Sequence, residues 1–282
     1  MSVDRRANQM LSVSIRQIRT VMVAALIFAY TCPYLAQGYK VRQSFGFALN
    51  AWGTFACTMS NAKILWVCFT GYLLMLSDLP CFSATHVYEA VRSEKGEIMK
   101  VRVLMVLKMT ALYVGVLFIF FCVMSGSTDF HMETWDRLHF SYAHGQYVDG
   151  IDLDAPLEIV DRYTPVASFC LCAALCLIVF ACFGLCLLFL TMMLPVKKPV
   201  FALCCAWGGL DMAVDEMGFG YRMYAYSPLS FVRLTILEAQ KVNAYYPSKA
   251  RILATAVTAL ALLLTVCLLF PVESRMDRLG RK

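Results

Sequence analysis

The segment SDLPCFSATHVYEAVRSEKGEIMKVR, residues 77–102, is a charged stretch set between two long apolar runs, and its reading decides how the chain is arranged. Pro80 lacks an N–H, and Ser77 and Asp78 favour caps and turns over helix interiors, so the preceding apolar run is expected to stop there. Beyond Thr85, Glu89 is followed by Arg92, and Glu97 by Lys100 and Arg102, which places acid and base about one helical turn apart. Val87, Tyr88, Val91, Ile98 and Met99 leave a thinner apolar stripe. The pattern predicts a short amphipathic helix at a membrane surface. The plainer reading of the same pattern is a solvated connector.

Composition sets the solvent. The chain has 282 residues, 60% hydrophobic and only 16% charged, with a mean hydropathy of +0.64. Soluble domains do not reach this balance, so most of the chain is expected to face lipid. The length suffices for about six spans with their connections. Thirteen cysteines could suggest a disulfide framework, but nearly all lie inside apolar runs, where thiols act as small packing residues; in the polar outer segments only Cys57 remains. Cys170, Cys172 and Cys176 lack a second metal-type pair, so no metal is expected. The net charge of +6 needs no nucleic acid, because the bases gather beside spans.

Residues 1–19 carry Arg5, Arg6, Arg16 and Arg19 off a face made by Leu11, Ile15, Ile18 and Met22, which predicts an amphipathic helix on the inner leaflet rather than a secretory signal. Spans are expected at 20–37, with Pro33 kinking its outer end, and at 64–79, 103–124, 165–194, 200–217 and 252–270. Residues 37–63 read as an outer loop or a half-inserted segment. Lys108 is close enough to the inner end of the third span to snorkel as an anchor. Residues 125–164 hold eight acids and His131, His139 and His144. These histidines match no zinc spacing, so a solvated acidic outer loop is the expectation. The tight connection PVKKP, 195–199, turns the chain back. Asp211, Asp215 and Glu216 are the acids within or near an apolar run; they face a cavity or partner if the span reaches them, or the outer interface if it ends early. LSFVRLTILEAQ, 229–240, follows Ser227 and Pro228 and predicts a short amphipathic helix near the outer face.

Charge counting gives the orientation. With both ends inside, segments 1–19, 81–102, 195–199 and 272–282 carry 14 Lys and Arg in 57 residues, against 10 in 101 for 37–63, 125–164 and 218–251. The excess predicts six spans with both termini cytoplasmic. It also places residues 80–102 in the cytoplasm, as the inner loop long enough to receive another protein.

The order of these features resembles the membrane subunits of ABC-2 type transporters, the six-span permeases that work with separate ATPases. The resemblance rests on FGFALNAWGTFACTMSNAKILW (45–66), residues 77–102, LTMMLPVKKPVFAL (190–203) and YSPLSFVRL (226–234), which together reach across most of the chain. It implies an all-α membrane protein of the ABC-2 (type V exporter-like) class, a single transmembrane domain over 1–282 in the cell membrane. The N-terminal helix and the 80–102 coupling helix would dock on a cytoplasmic ABC ATPase subunit, with Tyr88, Glu89, Arg92 and Glu97 at the contact. Residues 227–239 would form an outer helix dipping into the membrane. ATP and Mg would be bound by that partner, and a second permease copy or a paralogue would complete the path. Asp211, Asp215 and Glu216 match no motif of the family and are candidates for the substrate path on local chemistry alone. No phosphate-binding loop of the form G-x-x-x-x-G-K-[ST] occurs in the sequence, so no cofactor and no catalysis are expected of this chain. Two alternatives stay open. One is an accessory or immunity-type membrane protein without transport. The other is an intramembrane enzyme, for which His86 and Glu89 offer only a lone H-x-x-E.

Overall fold

The computed structural model describes residues 3–15, 18–77, 95–148, 151, 153, 155–193, 197–218, 221–238 and 249–269. Its helices are α1 (Val3–Ile15), α2 (Ile18–Leu35), α3 (Gln37–Phe45), α4 (Ala51–Ser60), α5 (Ala62–Leu76), α6 (Lys95–Ser125), α7 (Arg137–Ala143) and α8 (Leu157–Val160). They continue with α9 (Pro165–Met193), α10 (Lys197–Met217), 3₁₀ turns at Tyr221–Tyr226 and Pro228–Phe231, α11 (Leu234–Glu238) and α12 (Lys249–Leu269). Among the described residues there is no strand, only an isolated bridge between Asn50 and Asp129.

Each expected span falls on a helix, but the helices differ in their fitness to cross a bilayer. Met99–Ser125 in α6 and Pro165–Thr191 in α9 are long and apolar enough, each about 40 Å at 1.5 Å per residue against a hydrocarbon core of roughly 30 Å. The bent pairs α2 with α3 and α4 with α5 raise the number to four if each pair is one span. The apolar stretch of α12, Ala254–Leu268, is shorter. Pro199, expected to interrupt a helix, sits instead in the first turn of α10. There its missing N–H has no intrahelical partner to lose.

Residues 37–63, expected as an outer loop or a half-inserted segment, form α3, α4 and the start of α5. All of α4 except Trp52 and Thr58 is buried, packed against α6 and α9. Trp52 stacks on Phe118 with ring centroids 5.3 Å apart, and Phe55 meets Phe169 at 5.3 Å. Helices α4 and α5 then diverge by 89°. Asn61 makes the corner: its side chain accepts from the N–H groups of Lys63 and Ile64, capping α5 where α4 has just ended. The pair α4–α5 is therefore a broken span or a re-entrant loop, in line with the half-inserted alternative, with Asn50 and Asn61 as its side-chain caps.

The core gathers where α5, α6 and α9 meet. Tyr72 and Thr110 share a hydroxyl hydrogen bond of 2.7 Å, and Tyr113 donates to the Cys68 carbonyl at 2.6 Å. Gly184 on α9 admits this contact, since a Cβ there would lie 2.4 Å from the Tyr72 hydroxyl. Cys68, Cys172, Cys176, Cys204 and Cys267 are buried among apolar neighbours, as packing residues should be, and so is Cys57, the thiol expected in a polar loop.

Lys108, expected as an anchor, is partly exposed and reaches a largely exposed partner. Its Nζ lies 2.5 Å from Asp4 Oδ1 and 2.6 Å from Asn8 Oδ1, so it fastens α1 along the first half of α6.

Residues 125–164 are likewise more than a solvated loop. Asp136 caps α7 through the Leu138 and His139 N–H groups, accepts from the Asn50 N–H at 2.8 Å, and holds the His139 ring at 2.5 Å. Both side chains are buried. His131 and His144 face Asp129 and Asp161 instead, so the three histidines point to three different acids.

Candidate functional site

The polar centre of the molecule forms around α10. Asp211 and Asp215, one turn apart, project from the same side of that helix. Arg233 reaches them from the short link between the Pro228–Phe231 turn and α11. The turn is tightened by Ser230, whose hydroxyl donates to the carbonyls of Tyr224 and Ser227, both at 2.7 Å. Arg233 Nη1 lies 3.2 Å from Asp211 Oδ2 and 2.9 Å from Asp215 Oδ2, while its Nε donates to the Ser60 carbonyl at 2.8 Å. One guanidinium thus joins two acids of α10 to the last residue of α4. Tyr224 donates its hydroxyl to Asp215 Oδ1 and lies beneath the guanidinium, 5.8 Å from ring centroid to Cζ.

Asp211 is 1% exposed and its Oδ1 has no hydrogen-bond partner. Glu216, half exposed, pairs with Lys63 at 2.6 Å. Burial alone would lower the pKa of Arg233, but the Asp211 and Asp215 carboxylates outweigh it and push the value up, so the guanidinium stays charged. The Tyr224 hydroxyl is also pushed up, first by burial and then by its hydrogen bond to Asp215.

In front of this cluster opens a cleft of about 630 Å³. One wall is the α4–α5 corner with Ser60, Asn61 and Lys63; another is Tyr142, Tyr147 and Pro156 from the acidic segment; Asp215, Tyr224 and Arg233 form the floor. That volume is in the range of sites for drug-sized molecules.

The structure brings together one of the two sets of residues singled out in the sequence. Asp211 and Asp215 converge on Arg233, which satisfies the requirement of a partner; Glu216 stands at the edge. Of the other set, Tyr88, Glu89 and Arg92 lie outside the described residues, and Glu97 falls in the first turn of α6. Residues 227–238, the described part of the 227–240 segment, are not one amphipathic helix. They break into a 3₁₀ turn and the five-residue α11, with Leu229, Val232, Leu234, Leu237 and Glu238 all buried. Glu238 is held by Arg162 and by the Tyr163 hydroxyl at 2.5 Å.

Arg233, Tyr224, Lys63 and Ser60 were not singled out by sequence reasoning. For Arg233 a signal existed: a lone base inside LSFVRLTIL must be neutralised if that run is buried, and the unmatched acids at 211 and 215 are the obvious partners. Ser60 acts through its carbonyl and leaves no trace in side-chain pattern.

Among the described residues no group of three or more His, Cys, Asp or Glu converges as a metal site. No family model matches the chain, and no curated protein and no solved structure matches it.

Proposed function

We propose that this chain is the membrane subunit of an ATP-driven transporter of the ABC-2 type. It would have six spans with both termini in the cytoplasm of a cell whose cytoplasmic membrane it crosses. ATP and Mg would sit on a separate ATPase subunit, a second permease or paralogue would complete the conduit, and this chain would not itself be catalytic. The observation that carries the reading is α6. It begins at Lys95, within the charged stretch, and runs 31 residues without a break to Ser125, a rod of about 46 Å.

A rigid rod is what a cytoplasmic motor would need. An ATPase that closes on nucleotide and moves the 80–102 segment would shift both ends of α6 together, converting nucleotide affinity into altered packing between helices. Helix α1, clamped to α6 by Lys108, would travel with it and widen the surface offered to the motor. At the far end the Asp211, Asp215 and Arg233 cluster would line the substrate path.

The test is co-purification of a cytoplasmic ATPase whose hydrolysis rate changes when this chain is present. Charge reversal at Arg92 and Glu97 together is expected to uncouple hydrolysis from transport while the protein still inserts. Unchanged transport in that variant removes the coupling assignment. A reporter fused near Ser93 and found outside the cell removes the whole reading.

A further inference from the structure

We propose that the cleft beside Arg233 is a binding site for organic cations with an aromatic or apolar body. The inference rests on the transporter reading for the guest's role as a substrate, though not for its binding.

Charge is the first reason. Among the described residues the two bases lining the cleft are both in contact with acids: Arg233 with two carboxylates and Lys63 with Glu216. Against these two bases stand Asp211, Asp215 and Glu216, so by formal charge the acids outnumber the bases by one among the described residues. Among the described residues, the wall opposite is made by Tyr142, Tyr147, Leu153, Ala155 and Pro156 and adds no base to the cleft. An anion entering the cleft would have to displace a carboxylate from its base. A cation meets a negative field that raises its local concentration.

Surface chemistry is the second. Tyr142 and Tyr147 meet edge to face at 5.4 Å, and Tyr147 is largely exposed at the mouth. These two rings supply faces that attract an ammonium or phosphonium centre and area that suits an apolar body, while the face of Tyr224 is taken by Arg233. Leu153, Ala155, Pro156 and Ile236 extend the apolar lining. The Thr235 hydroxyl lines the same cleft, with its oxygen buried and without a partner, ready to engage one polar group of a guest.

The probes are tetraphenylphosphonium and tetraphenylborate, ions of the same shape and opposite charge. Binding is measured by tryptophan and tyrosine fluorescence on the full chain in nanodiscs of neutral lipid, with empty nanodiscs subtracted and no ATPase present. The phosphonium is expected to bind saturably and at least about tenfold tighter than the borate. Tyr147→Leu, at an exposed position that folding does not depend on, is expected to weaken it about threefold or more. Asp215→Asn should weaken it further, provided the variant keeps its thermal transition. Equal or tighter binding of the borate overturns the proposal, and so does phosphonium binding that is indifferent to Tyr147→Leu. ATPase coupling without phosphonium binding would sink this inference alone; phosphonium binding by a chain that couples to no ATPase would sink the transporter reading alone.

Discussion

Replacing Arg233 by methionine tests whether the buried cluster holds the fold together. The substitution keeps volume and removes three contacts at once: both aspartates and the Ser60 carbonyl. What remains is a pair of carboxylates one turn apart, one of them 1% exposed, with no base in contact. Breaking a buried pair from one side costs about 3–5 kcal/mol, because the survivor keeps its desolvation penalty without its partner. For a chain of this size that is a fall in Tm of roughly 5–8 °C. Arg233→Lys keeps the charge but not the fork that spans three acceptors, so a loss of about 1–2 kcal/mol is expected. The decisive variant is Arg233→Met combined with Asp211→Asn. Removing the stranded charge should return about half of the loss, a coupling of roughly 2 kcal/mol between the two positions. Thermal unfolding in detergent, followed by tryptophan fluorescence, reads all four proteins. A single Arg233→Met variant that melts within about 2 °C of the parent, or a double variant no better than the single, would show that the cluster is not a structural clamp.

Three further outcomes follow from separate parts of the molecule. Burial tends to raise the pKa of Asp136, but the charge and hydrogen bonds of His139, with the Asn50 N–H, outweigh it and lower the value to about 2. A depressed carboxyl stabilises the fold above its unfolded pKa of about 4 and loses that contribution as pH falls toward 2. Acid unfolding of Asp136→Asn should therefore lack an increment of roughly 2–3 kcal/mol that the parent loses as pH falls from about 4 toward 2. Gly184→Ala would place a methyl group 2.4 Å from the Tyr72 hydroxyl. That hydroxyl is pinned by Thr110, so a cost of about 1–3 kcal/mol is expected in the same melting assay. Lys108→Met removes a pair whose Asp4 side is largely exposed; the global transition should move by less than about 1 kcal/mol, while limited proteolysis of the α1 segment becomes faster.

The two longest spans were legible because hydropathy over about twenty residues needs no partner to be read. Lipid acts on each helix separately, so α6 and α9 declare themselves in sequence. The α4–α5 corner was not, since its 89° turn is made by one side chain, Asn61, capping a helix that is as apolar as a span. Residues 125–164 misled for a related reason. Eight acids suggest solvent, yet Asp136 and His139 are buried because they satisfy each other and the Asn50 backbone, a pairing 86 residues away in sequence. Asp211 and Asp215 were flagged by the cost of burying charge, and that cost is what Arg233 meets. The identity of the base depended on a turn that ordinary helix periodicity could not foresee.

The same contacts connect the rod to the cleft. At the C-terminal end of α6 the Ser125 hydroxyl bonds Ser127 at 2.6 Å, and Ser127 bonds Thr54 on α4 at 3.0 Å. Helix α4 ends at Ser60, whose carbonyl holds Arg233, and Arg233 holds the two acids of α10. On the transporter reading, a displacement of α6 would therefore strain the Arg233 cluster through one short rigid helix rather than through a loop. Coupling through these contacts requires that both ends bias one equilibrium. Thr54→Val with Ser127→Ala supplies the check, because it cuts the hydroxyl link and leaves the cleft untouched. If the link transmits, phosphonium affinity without ATPase stays at the parent value, while the change in affinity on adding the nucleotide-loaded ATPase shrinks by about five-fold or more, a coupling energy of about 1 kcal/mol. An undiminished response would mean that α6 reaches the cleft by another route, through its packing on α9.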